Sequence, residues 1–538
     1  MPEENKAKKT FVAGAALLGL AGIVVKVLGV FFRVPLANII GAEGVGIYGV
    51  AYPIYALMLT ISSSGLPTAI SKMIAERRSV GQYYEAYRVF KISFKLMLGI
   101  GLATGIILFL FAPLITGIQK TPQAALALRA TAPALVLCPV MSCYRGFFQG
   151  QKSMGPTAFS QVIEQIFRVG IGIGLCMVLA KIGLAEGAAG AAFGASAGAI
   201  FGLIAVMFRF VQNKPRMMQE ISESGRKPIQ SMRGIVMDIL AIAVPITIGA
   251  AIMPILGGID TVIVKSRLLA LGYSDSVANT LFGDLSGLAS PIINVPQVLT
   301  QAIALSLVPV ISDAFRRDDM DFVRKNSALG LRYSALVGLP CSLGIIALAK
   351  PIMQLFYPTQ TASHDNAAAC LIMYAIGLFF LSGVHALTAV LQGIGKQGIP
   401  VRNLFIGAVV KVIVTFLLTG IPAINVKGAA IGTTCAYIVA FLLNLAAVIK
   451  YTSLKVDLKL MLIGPLISSG VMFAAVFGAY RLLRAHSGNA VSTLASVCVG
   501  ILVYVIMIFV TRSVSLSELS SMPLVGRAIR KLRRGKRQ

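Results

Sequence analysis

Pro156–Ala180 reads PTAFSQVIEQIFRVGIGIGLCMVLA. As a helix it is long enough to cross a hydrocarbon core of ~30 Å. Gln161, Glu164, Gln165 and Arg168 nevertheless fall at i, i+3, i+4 and i+7, on one face of that helix. A surface helix of a soluble protein carries an apolar stripe on a polar body. Here the arrangement is inverted, a polar stripe on an apolar body. Such a helix crosses a membrane with its stripe turned away from lipid, toward other helices or water. One helix cannot hide the stripe alone, so the segment implies a bundle.

The rest of the chain agrees. Of 538 residues 57% are hydrophobic and 13% charged, with a mean hydropathy of +0.84. A soluble domain has about 25% charged residues. Apolar runs of membrane length recur throughout, and about fourteen spans are expected. The fold class read from this is an all-α polytopic membrane protein. The net charge of +28 does not mark a nucleic-acid binder, because the cations punctuate apolar runs instead of forming one stripe. Roughly 34 of the Lys and Arg lie in alternate loops and the termini, and only about 8 in the opposite set. That bias places both termini in the cytosol and the chain in a cell membrane. Lys6, Lys8 and Lys9 precede a first helix that is read as retained, without a cleaved leader.

A weak repeat organises the spans. Pro67–Ser71, followed by Arg77 and Arg78, resembles Pro309–Ser312, followed by Arg316 and Arg317. Phe148–Gly150 matches Leu391–Gly393, and Gly187–Ala189 matches Gly428–Ala430. The shared offset of about 241–243 residues carries the argument, since it fits parallel repeats of six spans. The expected division is a six-helix bundle over 1–210, a basic cytoplasmic linker over 211–234 and a second bundle over 235–450. Two further helices follow over 451–512, then a basic tail over 513–538. The two bundles would be related by a pseudo-two-fold axis around a central cavity. In the tail, Arg527, Arg530, Lys531, Arg533 and Arg534 stand beside Leu524, Val525, Ala528, Ile529 and Leu532 at helical spacing. That pattern suits an anionic lipid surface.

Charges inside spans are costly, about 2.5–3.5 kcal/mol each at a helix centre, and so mark function. Lys26 and Arg33 stand two turns apart on one face of the first span, just before Pro35, which is the expected kink. Glu164 precedes Arg168 by four residues, the order of an intrahelical ion pair. Arg168 follows Gln149 by the same interval as Lys411 follows Gln392, so two cations occupy matching places in the repeat. A cavity lined by Lys26, Arg33, Arg168 and Lys411, with Gln161, Glu164 and Gln165 on its wall, would suit a diphosphate. The alternative for Lys411 is a side chain that snorkels to an interface.

Catalytic and metal residues are not expected. The chain has no Walker A, G-x-S-x-G, H-E-x-x-H or paired-carboxylate motif. The acidic run Asp318–Asp321, flanked by Arg316, Arg317, Arg324 and Lys325, reads as a solvated loop. Its seven cysteines fall in apolar runs without C-x-x-C spacing and read as packing residues. No resident cofactor is expected. Coupling is left to Na+ or H+, the membrane potential or the cargo's own gradient.

Four segments carry a family resemblance: Gly41–Tyr48 (GAEGVGIY), Gly65–Lys72 (GLPTAISK), Arg145–Gly150 (RGFFQG) and Ser160–Gln165 (SQVIEQ) with Arg168. With them the chain resembles the polysaccharide-transport branch of the multidrug/oligosaccharidyl-lipid/polysaccharide exporter superfamily, including its sporulation and lipid II flippase members. The resemblance spans essentially the whole chain. It implies fourteen helices, alternating access, and an undecaprenyl-diphosphate-linked glycan as cargo, used in peptidoglycan or polysaccharide synthesis. Lipid II flippases carry basic residues in the first helix; here that motif reads Lys26–Arg33, with Lys first and one extra residue before Arg33. The glycan, lipid II or a relative, stays open, and the transporter is expected to be a monomer. Two other functions share these features. A cation-coupled drug antiporter would use Glu164, and a glycan polymerase would need a catalytic loop.

Overall fold

The computed structural model describes residues 2–223, 229–454, 462–511 and 513. The basic tail beyond Ser513, with its lipid-surface pattern, and Arg226 and Lys227 of the linker lie outside the described residues. Everything regular among the described residues is helical. Thirteen of these helices are long and apolar enough to cross a membrane.

The first of them crosses twice. Helix α1 (Pro2–Ser63) contains Gly41 at φ 69° and ψ 177°. In a straight helix Arg33 and Tyr48 would stand about 22 Å apart. They are in contact instead, the guanidinium 5.1 Å from the ring centroid, so the chain folds back at Gly41 and the span count reaches fourteen. Pro35, the expected kink, lies inside the helix and does not reverse it. Proline removes one backbone donor and bends a helix, but its ring fixes φ near −65°. A reversal needs positive φ, which glycine reaches without a Cβ clash.

The remaining helices of the first compact unit are α2 (Leu66–Ser79), α3 (Tyr83–Ile118), α4 (Ala125–Gly150), α5 (Gly155–Leu179), α6 (Leu184–Glu223), α7 (Met232–Ala270) and α8 (Asp275–Gly283). A π-helical turn, Asp284–Ala289, follows α8. This unit comprises Met1–Pro291 with Thr415–Ala429. The membrane-crossing helices alternate in direction. Gly41 and the turns α3–α4, α5–α6 and α7–α8 therefore gather at the end far from the chain's start, and α2 and the α6–α7 connection lie at the near end. By the sequence repeat α7 and α8 open the second bundle, yet they pack with α1 to α6. The six-helix halves remain a proposal drawn from the repeat.

Small residues set the packing of this unit. Gly194, Gly198 and Gly202 stand one turn apart on α6 and press against the backbone of Arg168 and Glu164 and the Cβ of Glu164. This small-residue stripe lets the two helices close without side chains between them. At the near end Phe90, Tyr144, Phe147 and Phe210 form an aromatic cluster with centroid separations of 4.8–5.4 Å.

The second unit comprises Ile292–Val414 and Ala430–Gln538. Its helices are α9 (Ser290–Arg316), α10 (Met320–Ala347), α11 (Ala349–Phe356), α12 (His364–Gly393), α13 (Gly398–Thr419), α14 (Lys427–Thr452), α15 (Gly464–Arg484) and α16 (Asn489–Val510). Buried Asn403 and Asn444 bond to each other at 2.9 Å, and Asn444 reaches Thr388. Inside a membrane such amides join helices because each satisfies the other. None of the seven cysteines is in a disulfide, and four are buried.

Candidate functional site

The polar stripe of α5 meets the folded-back α1. Because the chain reverses at Gly41, Tyr48, Tyr52 and Tyr55 return past Arg33. These tyrosines form a ladder with centroids 6.0 and 6.3 Å apart. The Arg33 guanidinium lies 5.1 Å from the Tyr48 centroid and 5.5 Å from that of Tyr52. From the other helix the Arg168 guanidinium lies 6.0 Å from the same Tyr52 ring. Tyr48 and Tyr55 are buried, whereas Tyr52 is 37% exposed. Two cations thus converge on the one open rung.

The expected pair between Glu164 and Arg168 does not form. Glu164 is bound by Arg145 of α4, Nη2 to Oε2 at 2.8 Å. Arg145 also donates from Nε to Ser160 Oγ at 2.7 Å. An intrahelical pair is worth only about 0.2–0.5 kcal/mol. A two-point attachment between helices in a partly buried site outweighs it. Arg168, left without the carboxylate, turns toward Tyr52.

The electrostatic result is simple. Arg145 neutralises Glu164, and neither Arg33 nor Arg168 makes an ion pair among the described residues. Arg33 Nη1 is buried without a hydrogen-bond partner. A buried donor of this kind is costly unless a ligand supplies the acceptor. Guanidinium groups bind phosphate oxygens in pairs, so the arrangement can receive an anion. Cation–π contacts hold both side chains in place without consuming their charge.

The other expected residues are less concentrated. Gln165 packs beside Gly29 of α1, which joins it to the cluster. Gln161 is half-buried one turn earlier on α5, and Lys26 is exposed on α1. Lys411 is half-buried on α13, in the second unit. The structure therefore brings Arg33, Glu164, Gln165 and Arg168 together in one cluster. Sequence reasoning overlooked Arg145 and the three tyrosines. The tyrosines had a legible signal, their i, i+4, i+7 spacing. Arg145 had none, because Glu164 already had a cation four residues away.

The second unit holds an apolar crevice of about 420 Å³. Pro340 and Cys341 of α10, Met472 and Val476 of α15, and Gly500 and Ile501 of α16 are among its walls.

Comparison with known proteins places this geometry in a family. Residues 11–315 match the model of the polysaccharide biosynthesis protein family, and 286–417 match the MatE model. Stage V sporulation protein B of Bacillus subtilis is 27% identical over 97% of this chain and 99% of its own length. The lipid II flippase MurJ of the same organism is 27% identical over 80% of each chain. Among solved structures, a lipid II flippase MurJ in an inward closed conformation aligns with a TM-score of 0.68 at 18% identity, over 92% of this chain and 99% of that one. An inward-facing multidrug resistance transporter of the MATE family gives 0.66 at 15% identity, over 80% of this chain and 94% of that one. The fold is thus that of these transporters, and the chain belongs to the polysaccharide biosynthesis protein family of the MOP superfamily.

Proposed function

We propose that this chain is a flippase. It moves an undecaprenyl-diphosphate-linked glycan precursor, lipid II or a related lipid-linked oligosaccharide, from the inner to the outer leaflet by alternating access. The observation that carries the reading is the convergence of Arg33 and Arg168 on Tyr52 with no carboxylate bonded to either among the described residues. A diphosphate supplies the missing charge, with Gln161 and Gln165 as further donors on the same α5 face. Lys26, two turns before Arg33 on α1, extends the same positive field. Similarity to a lipid II flippase and to a sporulation protein supports the class of cargo and a role in cell-envelope synthesis. The charge bias of the loops supports a cell membrane with both termini in the cytosol.

A cation-coupled drug antiporter on the same fold is the second reading. It would rely on Glu164, and the bond to Arg145 counts against a free cation-binding carboxylate there.

The test is rescue of a bacterium depleted of its own lipid II flippase, with Arg168→Ala beside the wild type. Rescue by the wild type and failure of an equally expressed R168A is the expected result. If R168A rescues as well as the wild type, the site assignment falls. If an inserted wild type fails, lipid II is not the cargo.

A further inference from the structure

Lys265, near the last turn of α7, is fully buried. Its Nζ donates to Lys120 O at 3.0 Å, to Thr121 Oγ1 at 2.8 Å and to Asn279 Oδ1 at 2.5 Å. Asn279 is itself buried and reaches Gln123 Oε1 at 3.3 Å. One ammonium group therefore ties α7 to the α3–α4 turn and to α8, at the far end of the first unit. Glu43 and Asp275 act on it only from a distance, and no carboxylate pairs with it among the described residues.

The surrounding contacts have an unusual form. Gly46 of α1 abuts the backbone carbonyl of Asn279, and Gly283 of α8 abuts that of Ala42. Here the returning limb of α1 and α8 touch backbone to backbone. Flat surfaces of this kind separate without repacking side chains. The π-helical turn Asp284–Ala289 follows directly, a feature found often at functional sites.

A buried lysine without a carboxylate is a poor stabiliser, since an apolar side chain of similar volume fills such a place at less cost. Its value lies in having two satisfied states. Three oxygens serve its three protons when the far end is closed, and water serves them when it opens. We propose that Lys265, with Thr121, Asn279 and the Lys120 carbonyl, is a reversible latch that closes the far end of the transport path. The proposal rests on the alternating-access reading. Breaking the latch hydrates the ammonium, so closure is firm but not permanent. An apolar residue at 265 would leave the Asn279 amide oxygen and the Lys120 carbonyl without their donor in the closed state, and so favour opening. Removal of an acceptor would strand the cation and favour opening.

Both changes break the same bond, so together they add little to either alone, which independent roles in packing would not produce. The experiment uses the full chain in nanodiscs, with Ala278→Cys as a reporter. Ala278 is fully buried beside Asn279, and its reaction with a maleimide is followed by mass spectrometry at that peptide. Lys265→Met and Asn279→Ala should each speed labelling about threefold or more, and the double variant should be no faster than the faster single one. Should K265M fail to fold, Lys265→Leu takes its place, with the same direction expected. If the two effects multiply in the double variant, the residues do not act through one bond and the latch is wrong. If labelling is unchanged by either, it is wrong as well. No cargo is present in this measurement, so its outcome is separate from that of the rescue test.

Discussion

Glu164 on α5 bonds to Arg145 on α4 at 2.8 Å, although Arg168 stands one turn along its own helix. The Arg145 side chain is 12% exposed and that of Glu164 23%, so neither is well solvated. Arg145→Ala leaves the carboxylate without a partner and should cost about 2–4 kcal/mol. Glu164→Gln keeps an oxygen that accepts from Arg145, and should cost about 1 kcal/mol. Thermal unfolding of the purified protein in detergent compares them. Equal losses would mean that the pair does not carry the contact between α4 and α5.

Gly41 makes the opposite kind of contribution, through the backbone. At φ 69° and ψ 177° it lies where a Cβ is penalised, so Gly41→Ala should destabilise by about 1–2 kcal/mol or more. It should also weaken the site, because the fold-back brings Tyr48 and Tyr52 to Arg33. Gly174→Ala on α5 is the comparison, since nothing lies within 4 Å of its added methyl. There alanine should be neutral or stabilising by up to about 1 kcal/mol. Unfolding midpoints that shift the same way for both variants would remove Gly41 as the cause of the reversal.

The membrane class, the span count and the polar face of α5 were legible because each depends on local periodicity. The burial cost of a charge in hydrocarbon made Arg33 and Arg168 stand out in the same way. The partner of Glu164 was not legible. Sequence spacing reveals neighbours on one helix, whereas the choice between Arg168 and Arg145 depends on how closely α5 meets its neighbours. Gly194, Gly198 and Gly202 fix the approach of α6 to α5, and their four-residue spacing was present to be read. The fold-back falls in the gap between the first two apolar runs, at Gly41, which takes the dihedral angles of a reversal without a Cβ clash. The packing of α7 with the first unit follows from contacts such as Gly65 N to Thr247 Oγ1 at 3.2 Å, which lie 182 residues apart in sequence.

The start of α3 grips the connection between α6 and α7, and this grip can be tested against a similar acid–arginine pair at the start of α10. Glu85 is 2% exposed. It accepts from Arg88 Nη1 at 2.8 and 3.1 Å and from the backbone nitrogens of Ile229 and Gln230, each at 3.3 Å. Arg88 Nη1 donates onward to Gln230 O at 2.9 Å. Asp321 and Arg324 repeat the pattern at the start of α10, bonded at 2.6 Å, with Arg324 Nη1 reaching Thr452 O at 3.5 Å. In that copy the Asp321 side chain is 92% exposed. Glu85→Ala strands a partly buried guanidinium and two backbone donors, and should cost about 2–3 kcal/mol. Asp321→Ala breaks a solvated pair and should cost under about 1 kcal/mol. Limited proteolysis should therefore cut the E85A chain between α6 and α7 faster than the wild type, while D321A is cut at the wild-type rate. Similar cleavage of all three proteins would show that Glu85 does not hold the connection.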